Sequence, residues 1–306
     1  MTTTIFSIHY PEWLLRVVNA QCSQLSRVVP MRADEGNGQM PKKLDRRHVV
    51  CFSHIKGGVA KTTCCVNVGA GLANMGYRTL LVDMDPQSSL TDVFLGPDEL
   101  PDRSIYHVLY GKENDDSREL PITEVIKAIR MNLDIAPATL DLVRLEHLLL
   151  PEVDGRDRLR RALRGLDYDF IVIDTPPSVG LLTSNAMIAA TDLVIPVQAS
   201  YFALKGIANI METFNTIKER VNEDLQLLGV VITMVDKRKR HPLDVIGDLE
   251  ELFPSELIFE TQIREIAKVE ASPGYHQDIF SYAPTSPGAK DFNDFTQEIV
   301  ERCQNS

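Results

Sequence analysis

The 306-residue sequence predicts an α/β fold, a mostly parallel twisted sheet with helices on both faces. Three observations carry that expectation. From His48 onward, apolar runs of strand length alternate with segments of helical period. Runs such as Phe170-Ile-Val-Ile173 are continuously apolar, as in strands buried on both faces. A Gly-rich turn, Lys56-Gly-Gly-Val-Ala-Lys-Thr-Thr63, joins the first strand to the first helix. That arrangement lets consecutive backbone N–H groups and a helix N-terminus cradle a phosphate.

Taken in order, residues 1–46 read as an N-terminal extension ahead of a single domain spanning 47–306. Trp13–Val29 is amphipathic and Arg32–Gln39 is polar with glycines, a linker composition. A flexible tail, or a native start at Met31 or Met40, is the expectation; a partner-binding helix is the alternative. Strands are expected at Val49–Ser53, Thr79–Asp83, Leu133–Ala136, Phe170–Asp174, Leu193–Val197, Leu227–Thr233 and Leu257–Phe259. Helices are expected at Thr62–Met75, Leu140–Leu150, Arg156–Leu166, Leu181–Ala190, Ala203–Val221 and Ala289–Cys303. Residues 97–131 carry the weakest pattern, and no internal repeat is present.

Composition narrows the function classes. Apolar residues make up 44% and charged residues 25%, as in an ordinary globular domain. The formal net charge of −11 excludes a surface coated in positive potential but leaves room for a local basic patch. No apolar run approaches the roughly 18 residues that span a membrane. Ile5–Val18 is interrupted by His9, Pro11, Glu12 and Arg16, so it does not read as a secretory signal and a cytoplasmic location is expected. Cys22, Cys51, Cys64, Cys65 and Cys303 show no CxxC spacing and no partnering histidines along the chain. They are expected to be buried thiols, not ligands of a metal or iron–sulfur centre.

In the Gly-rich turn, Gly57 and Gly58 let the backbone close around phosphate oxygens, Lys61 supplies a cation to the β- and γ-phosphates, and Thr62 offers a hydroxyl to Mg²⁺. The general expression G-x-x-x-x-G-K-[ST] is not met, because Ile55 and Ala60 stand at its glycines. The case therefore rests on the accompanying strands. Phe170-Ile-Val-Ile-Asp174 ends in a carboxylate suited to the metal's water shell, followed by Thr-Pro-Pro177, which cannot prolong the strand. Leu80-Leu-Val-Asp-Met-Asp85 ends in two carboxylates, Asp83 and Asp85, on one side of an extended chain. All would meet at the carboxyl edge of the sheet, where open α/β folds bind ligands.

These residues resemble the ParA/MinD family of P-loop NTPases, whose deviant Walker A motif reads K-G-G-x-x-K-[ST]. Leu81–Ser88 is similar to the switch I segment of ParA proteins and Ile173–Ser178 to their Walker B and switch II region. Pro196–Gly206, Thr261–Glu265, Ile279–Pro284 and Gly288-Ala-Lys290 extend the likeness to Soj-like partition proteins across some five-sixths of the chain. The resemblance implies a slow ATP hydrolase, stimulated by partner and DNA, with ATP and Mg²⁺ as cofactors. It implies that Lys56, Gly57, Gly58, Val59, Ala60, Lys61, Thr62 and Thr63 bind the nucleotide. Lys56 would reach the partner's phosphates in a sandwich homodimer formed on ATP binding, and Thr63 would contact the α-phosphate. Asp85 would orient the attacking water, making Lys56, Lys61 and Asp85 the catalytic set; Thr62 and, through water, Asp174 would hold Mg²⁺.

The strongest basic run is Lys237-Arg-Lys-Arg-His241. Arg264 stands in a Thr-x-Ile-Arg context that resembles a DNA-contacting region of Soj-like proteins, with Lys268 one helical turn on. With the basic run, the resemblance implies non-specific DNA binding through Arg238, Arg240, Arg264 and Lys268, hence nucleoid association. The resemblance implies a ParB-like adaptor and chromosome or plasmid segregation. Positioning of other cargo, such as chemoreceptor arrays or carboxysomes, is the alternative. A MinD-like division-site role would need a basic amphipathic C-terminal helix, and the acid-rich Asp291–Arg302 argues against the membrane. A synthetase of the same fold would turn over a small acid or amide.

Overall fold

A computed structural model of the chain describes residues 44–96, 101–110, 119–198, 203–236, 247 and 249–305. Nearly all of the 1–46 extension and the run 237–241, with Arg238 and Arg240, lie outside these residues. Seven strands form one sheet: β1 (His48–Phe52), β2 (Thr79–Asp83), β3 (Lys127–Arg130), β4 (Leu133–Ala136), β5 (Phe170–Asp174), β6 (Asp192–Gln198) and β7 (Gln226–Thr233), in the order β3-β4-β2-β5-β1-β6-β7. All pairings are parallel except β3 with β4.

The central strands are buried throughout, so successive residues feed two cores. Val49 and Cys51 face one side with Leu80, Val82, Ile171, Ile173 and Phe214; Val50 and Phe52 face the other with Leu81, Val172, Phe292 and Phe295. The second core is closed by α1 (Lys61–Asn74) and the C-terminal helix Pro287–Gln304. Close approach there requires glycine: a Cβ at Gly71 would stand 2.6 Å from the Thr296 hydroxyl.

The helices expected from the sequence form with their ends moved by a few residues; Arg156–Leu166 shrinks most, to Arg158–Ala162. The C-terminal helix begins two residues earlier than expected. Ser286 caps it by accepting from the Ala289 N–H, and Pro287 occupies a first-turn position where no donor is needed.

Two expectations are corrected. Leu257–Phe259 is not a strand: Ser255–Leu257 forms a single 3-10 turn, and only Ile258 bridges to Val230. The weakly patterned 97–131 region holds, among its described residues, the helix Ile105–Leu109, the 3-10 turn Ile122–Glu124 and the edge strand β3. Among the described residues, no helix is long and apolar enough to cross a membrane.

Candidate nucleotide-binding site

Strand β1 delivers the Gly-rich turn to the carboxyl edge of the sheet, between β5 and β6, and α1 begins at Lys61. Two residues of the turn adopt left-handed backbone angles. Gly58 (φ 73°) does so without steric cost, whereas Ala60 (φ 65°, ψ 29°) carries a Cβ into that region at about 1 kcal/mol. Ala60 therefore keeps the geometry of a glycine position.

The turn is pinned by threonines at strand ends. The Thr233 hydroxyl donates to the Val59 carbonyl (3.1 Å), and the Thr175 hydroxyl to that of Phe52 (2.8 Å). Asn67, one turn into α1, accepts from the Ile279 N–H and donates to the Thr63 carbonyl, both at 2.8 Å. Thr233, Thr175 and Asn67 escaped the sequence reading; the one available signal was a hydroxyl directly after an apolar strand.

Around the turn stand the expected charged groups. Lys61 is buried, with Nζ 3.5 Å from the Lys56 carbonyl. Burial lowers its pKa, opposed by the charges of Asp174 and Asp85. Thr62 and Thr63 are half-buried beside it. Asp174 and Asp83 are partners in the register of β5 and β2 and are fully buried.

The two carboxylates differ in their bonding. Asp83 accepts from the N–H groups of Asp85 (3.0 Å) and Thr91 (2.9 Å) and from the Thr91 hydroxyl (2.7 Å). Neither oxygen of Asp174 has a partner of normal hydrogen-bonding geometry. Burial pushes the pKa of Asp174 up, opposed by the nearby Thr62 hydroxyl and Lys61 ammonium. Burial, with the Asp174 charge beside it, also raises that of Asp83. A buried carboxylate without donors, flanked by an ammonium and a hydroxyl, fits a hydrated cation and an anionic ligand.

Asp85 is buried at the mouth of the turn and accepts from the Gln87 N–H at 2.9 Å. Asp83 and Asp85 thus differ in bonding: Asp83 accepts three hydrogen bonds that fasten the chain after β2, and Asp85 accepts one from the Gln87 N–H. Pro177 lies against the turn, its Cβ 4.0 Å from where a Gly57 Cβ would stand.

Lys56 bonds within its own protomer, Nζ donating to Gln198 Oε1 at the end of β6 (3.1 Å). The candidate DNA contacts lie elsewhere. Arg264 follows a bridge with Val235 beyond β7 and is clasped by Asp291, Nε to Oδ2 at 2.8 Å and Nη2 to Oδ1 at 2.5 Å. Lys268 is exposed on the short helix Ala267–Ala271.

Comparison with known proteins shows the family of the chain. The AAA domain family matches residues 47–227. The sporulation initiation inhibitor protein Soj of Bacillus subtilis is 37% identical over 256 residues, 82% of this chain and 98% of that one. The chromosome-partitioning ATPase Soj of Thermus thermophilus is 35% identical over 257 residues, 84% and 97% of the two chains. Among solved structures, a cobyrinic acid a,c-diamide synthase from Mycobacterium smegmatis, with bound ATP analog and magnesium, superposes with a TM-score of 0.71 at 32% identity, covering 84% of this chain and 95% of that one. On these grounds the chain belongs to the Soj/ParA family of partitioning P-loop ATPases.

Proposed function

We propose that this chain is an ATP hydrolase that dimerises on ATP binding, binds DNA without sequence preference, and segregates a chromosome or plasmid with a ParB-like adaptor. The carrying observation is the buried Asp174 carboxylate, with no donor at normal hydrogen-bonding geometry and with Lys61 and Thr62 beside it at the phosphate turn. The bound magnesium ion of the Mycobacterium relative supports the same reading here.

Each residue has a distinct task. The N–H groups of Gly57 to Thr63 cradle the phosphates, and Lys61 supplies the positive charge they need. The Thr62 hydroxyl ligates Mg²⁺, and Asp174 orients its water shell. The Mg²⁺ that Thr62 and, through water, Asp174 would hold would supply charge neutralisation for the phosphate oxygens. Asp85 accepts a hydrogen bond from the attacking water, aligning it with the γ-phosphate. Lys56 adds a cation across the dimer, the kind of contribution worth roughly 10³–10⁵-fold in phosphoryl transfer. Such an arrangement makes turnover conditional on pairing.

The test is ATP turnover and sedimentation together. The wild-type chain should form dimers with ATP and hydrolyse it faster with DNA and a ParB-like adaptor present. Lys56→Ala should lose both dimer and turnover; full activity as a monomer would sink the reading. The likeness to the Mycobacterium synthase favours a second reading, amide formation on a small acid. ATP consumption dependent on such an acid, and indifferent to DNA, would select it.

A further inference from the structure

At the amino edge of the sheet, opposite the phosphate turn, three side chains from distant parts of the sequence converge. His48 opens β1, Asp192 opens β6, and Cys303 lies in the last turn of the C-terminal helix. Their candidate donor atoms all lie within 4.8 Å of one another, and the residues are only 2%, 0% and 4% exposed. His48 Nδ1 and Asp192 Oδ2 are 2.9 Å apart, and the Thr191 hydroxyl also donates to Oδ2. Asp192 Oδ1 is buried and has no hydrogen-bond partner among the described residues. An unmatched carboxylate oxygen is costly in a dry interior and marks a missing cation or donor.

We propose that His48, Asp192 and Cys303 form a binding site for one divalent transition-metal ion of the zinc class. The donors are an imidazole nitrogen, a carboxylate oxygen and a sulfur. That set suits a borderline-soft ion in tetrahedral geometry with water in the fourth position, and it does not suit Mg²⁺. Cys303 is not in a disulfide. Burial, reinforced by the Asp192 charge, pushes its thiol pKa well up, so without metal it holds its proton. On binding, the S–H bond breaks, the sulfur–metal bond forms and one proton leaves to solvent.

The site fastens β1 and β6 to the terminal helix. Gln304 and Asn305, just beyond Cys303, are exposed, so the three side chains lie within one helical turn of solvent. No histidine lies near a cysteine along the chain, but the fold brings His48 and Cys303, 255 positions apart in sequence, to one place.

The full chain, stripped with chelator and free of nucleotide, is titrated with Zn²⁺ and with Co²⁺. The expected result is one equivalent per chain, a near-ultraviolet thiolate-to-cobalt charge-transfer band, about one proton released, and a Tm rise of about 4–8 °C at saturating zinc. Cys303→Ser should lose the band and the Tm rise. Asp174→Asn should keep both, which separates this site from the nucleotide site. Cys51, Cys64 and Cys65 remain in all variants as internal controls. The absence of a thiolate band in the wild-type chain overturns the proposal by itself, whether or not any variant folds. A band that survives in Cys303→Ser overturns it too, and leaves His48 and Asp192 as an ordinary buried pair.

Discussion

Lys56 donates from Nζ to the Gln198 side chain at 3.1 Å, so the lysine assigned to a partner's phosphates is held within its own protomer. In the proposed dimer it exchanges this bond for a contact with the partner's phosphates. The bond is partly exposed, and a hydrogen bond of that kind is worth about 0.5–1 kcal/mol. Gln198→Ala removes the competitor. The ATP concentration needed for dimerisation should fall by about 2–5-fold, read by sedimentation across an ATP titration. A weaker dimer would show instead that Gln198 assists the paired state.

Asp83 and Asp85 lie two residues apart but should fail differently. Asp83 is fully buried and accepts three hydrogen bonds that anchor the segment after β2. Asp83→Ala strands those donors and should cost about 2–4 kcal/mol, visible as a Tm lower by several degrees. On the proposed reading Asp85 orients the water, and its one bond, to the Gln87 N–H, is local. Asp85→Ala should therefore lower Tm less than Asp83→Ala, retain ATP, accumulate dimers and slow hydrolysis by at least about 100-fold. Wild-type turnover in Asp85→Ala would remove its assigned role.

Without nucleotide, Asp174 is a buried carboxylate lacking donors, and its pKa is raised. For a carboxyl group raised above its unfolded value, the protonated form favours folding. That stability is fully present below about pH 4, the ordinary aspartate value, and is lost as pH rises through the shifted one. The nucleotide-free chain should therefore melt at a higher temperature at about pH 5.5 than at about pH 8. Asp83, raised by burial and by the Asp174 charge, titrates in the same window, so Asp174→Asn should weaken this dependence and leave the share that burial gives Asp83. It should also abolish magnesium-dependent stabilisation by ATP. A steeper dependence in Asp174→Asn would assign the titration to another group.

Ala60 stands in the left-handed region, where a methyl group costs about 1 kcal/mol and glycine almost nothing. Ala60→Gly recovers this at the expense of a looser unfolded chain, so Tm should hold or rise slightly and ATP affinity should stay within about twofold. Ala60→Val, with a branched side chain in the same conformation, should lose several degrees and weaken ATP binding. Equal behaviour of the two would mean that the turn relaxes out of the left-handed region.

The parts of this site that were legible in the sequence are those coded by contiguous residues. Phe170–Asp174 announces a buried strand and its terminal carboxylate, and residues 56–63 announce the turn. Strand β3 was not legible because it is an antiparallel edge, half-exposed, and carries no apolar run. Leu257–Phe259 misled for the converse reason: its apolar residues fill a core from a 3-10 turn and a single bridge. The Lys56–Gln198 bond depends on how the ends of β1 and β6 abut, and the Asp83–Thr91 clasp on how the helix Ser89–Leu95 folds back on the end of β2. Periodicity says nothing about such neighbours.

Arg264 gives the sharpest test of the DNA-binding reading. Its Nε and Nη2 are occupied by Asp291, and Nη2 also reaches the Pro287 carbonyl, while its side chain is one-third exposed. The clasp fixes the guanidinium at the surface but cancels much of its field. Each lost phosphate contact lowers the slope of log affinity against log salt by about 0.9. If Arg264 and Lys268 both meet phosphates, Arg264→Ala with Lys268→Ala should reduce that slope by about 2 and weaken binding at low salt. Asp291→Asn keeps an acceptor for Arg264 but removes the opposing charge, and should tighten DNA binding. Should both variants match wild type while Arg238→Ala with Arg240→Ala loses affinity, the contact surface lies on the 237–241 run and Arg264 is a structural fastening for the C-terminal helix.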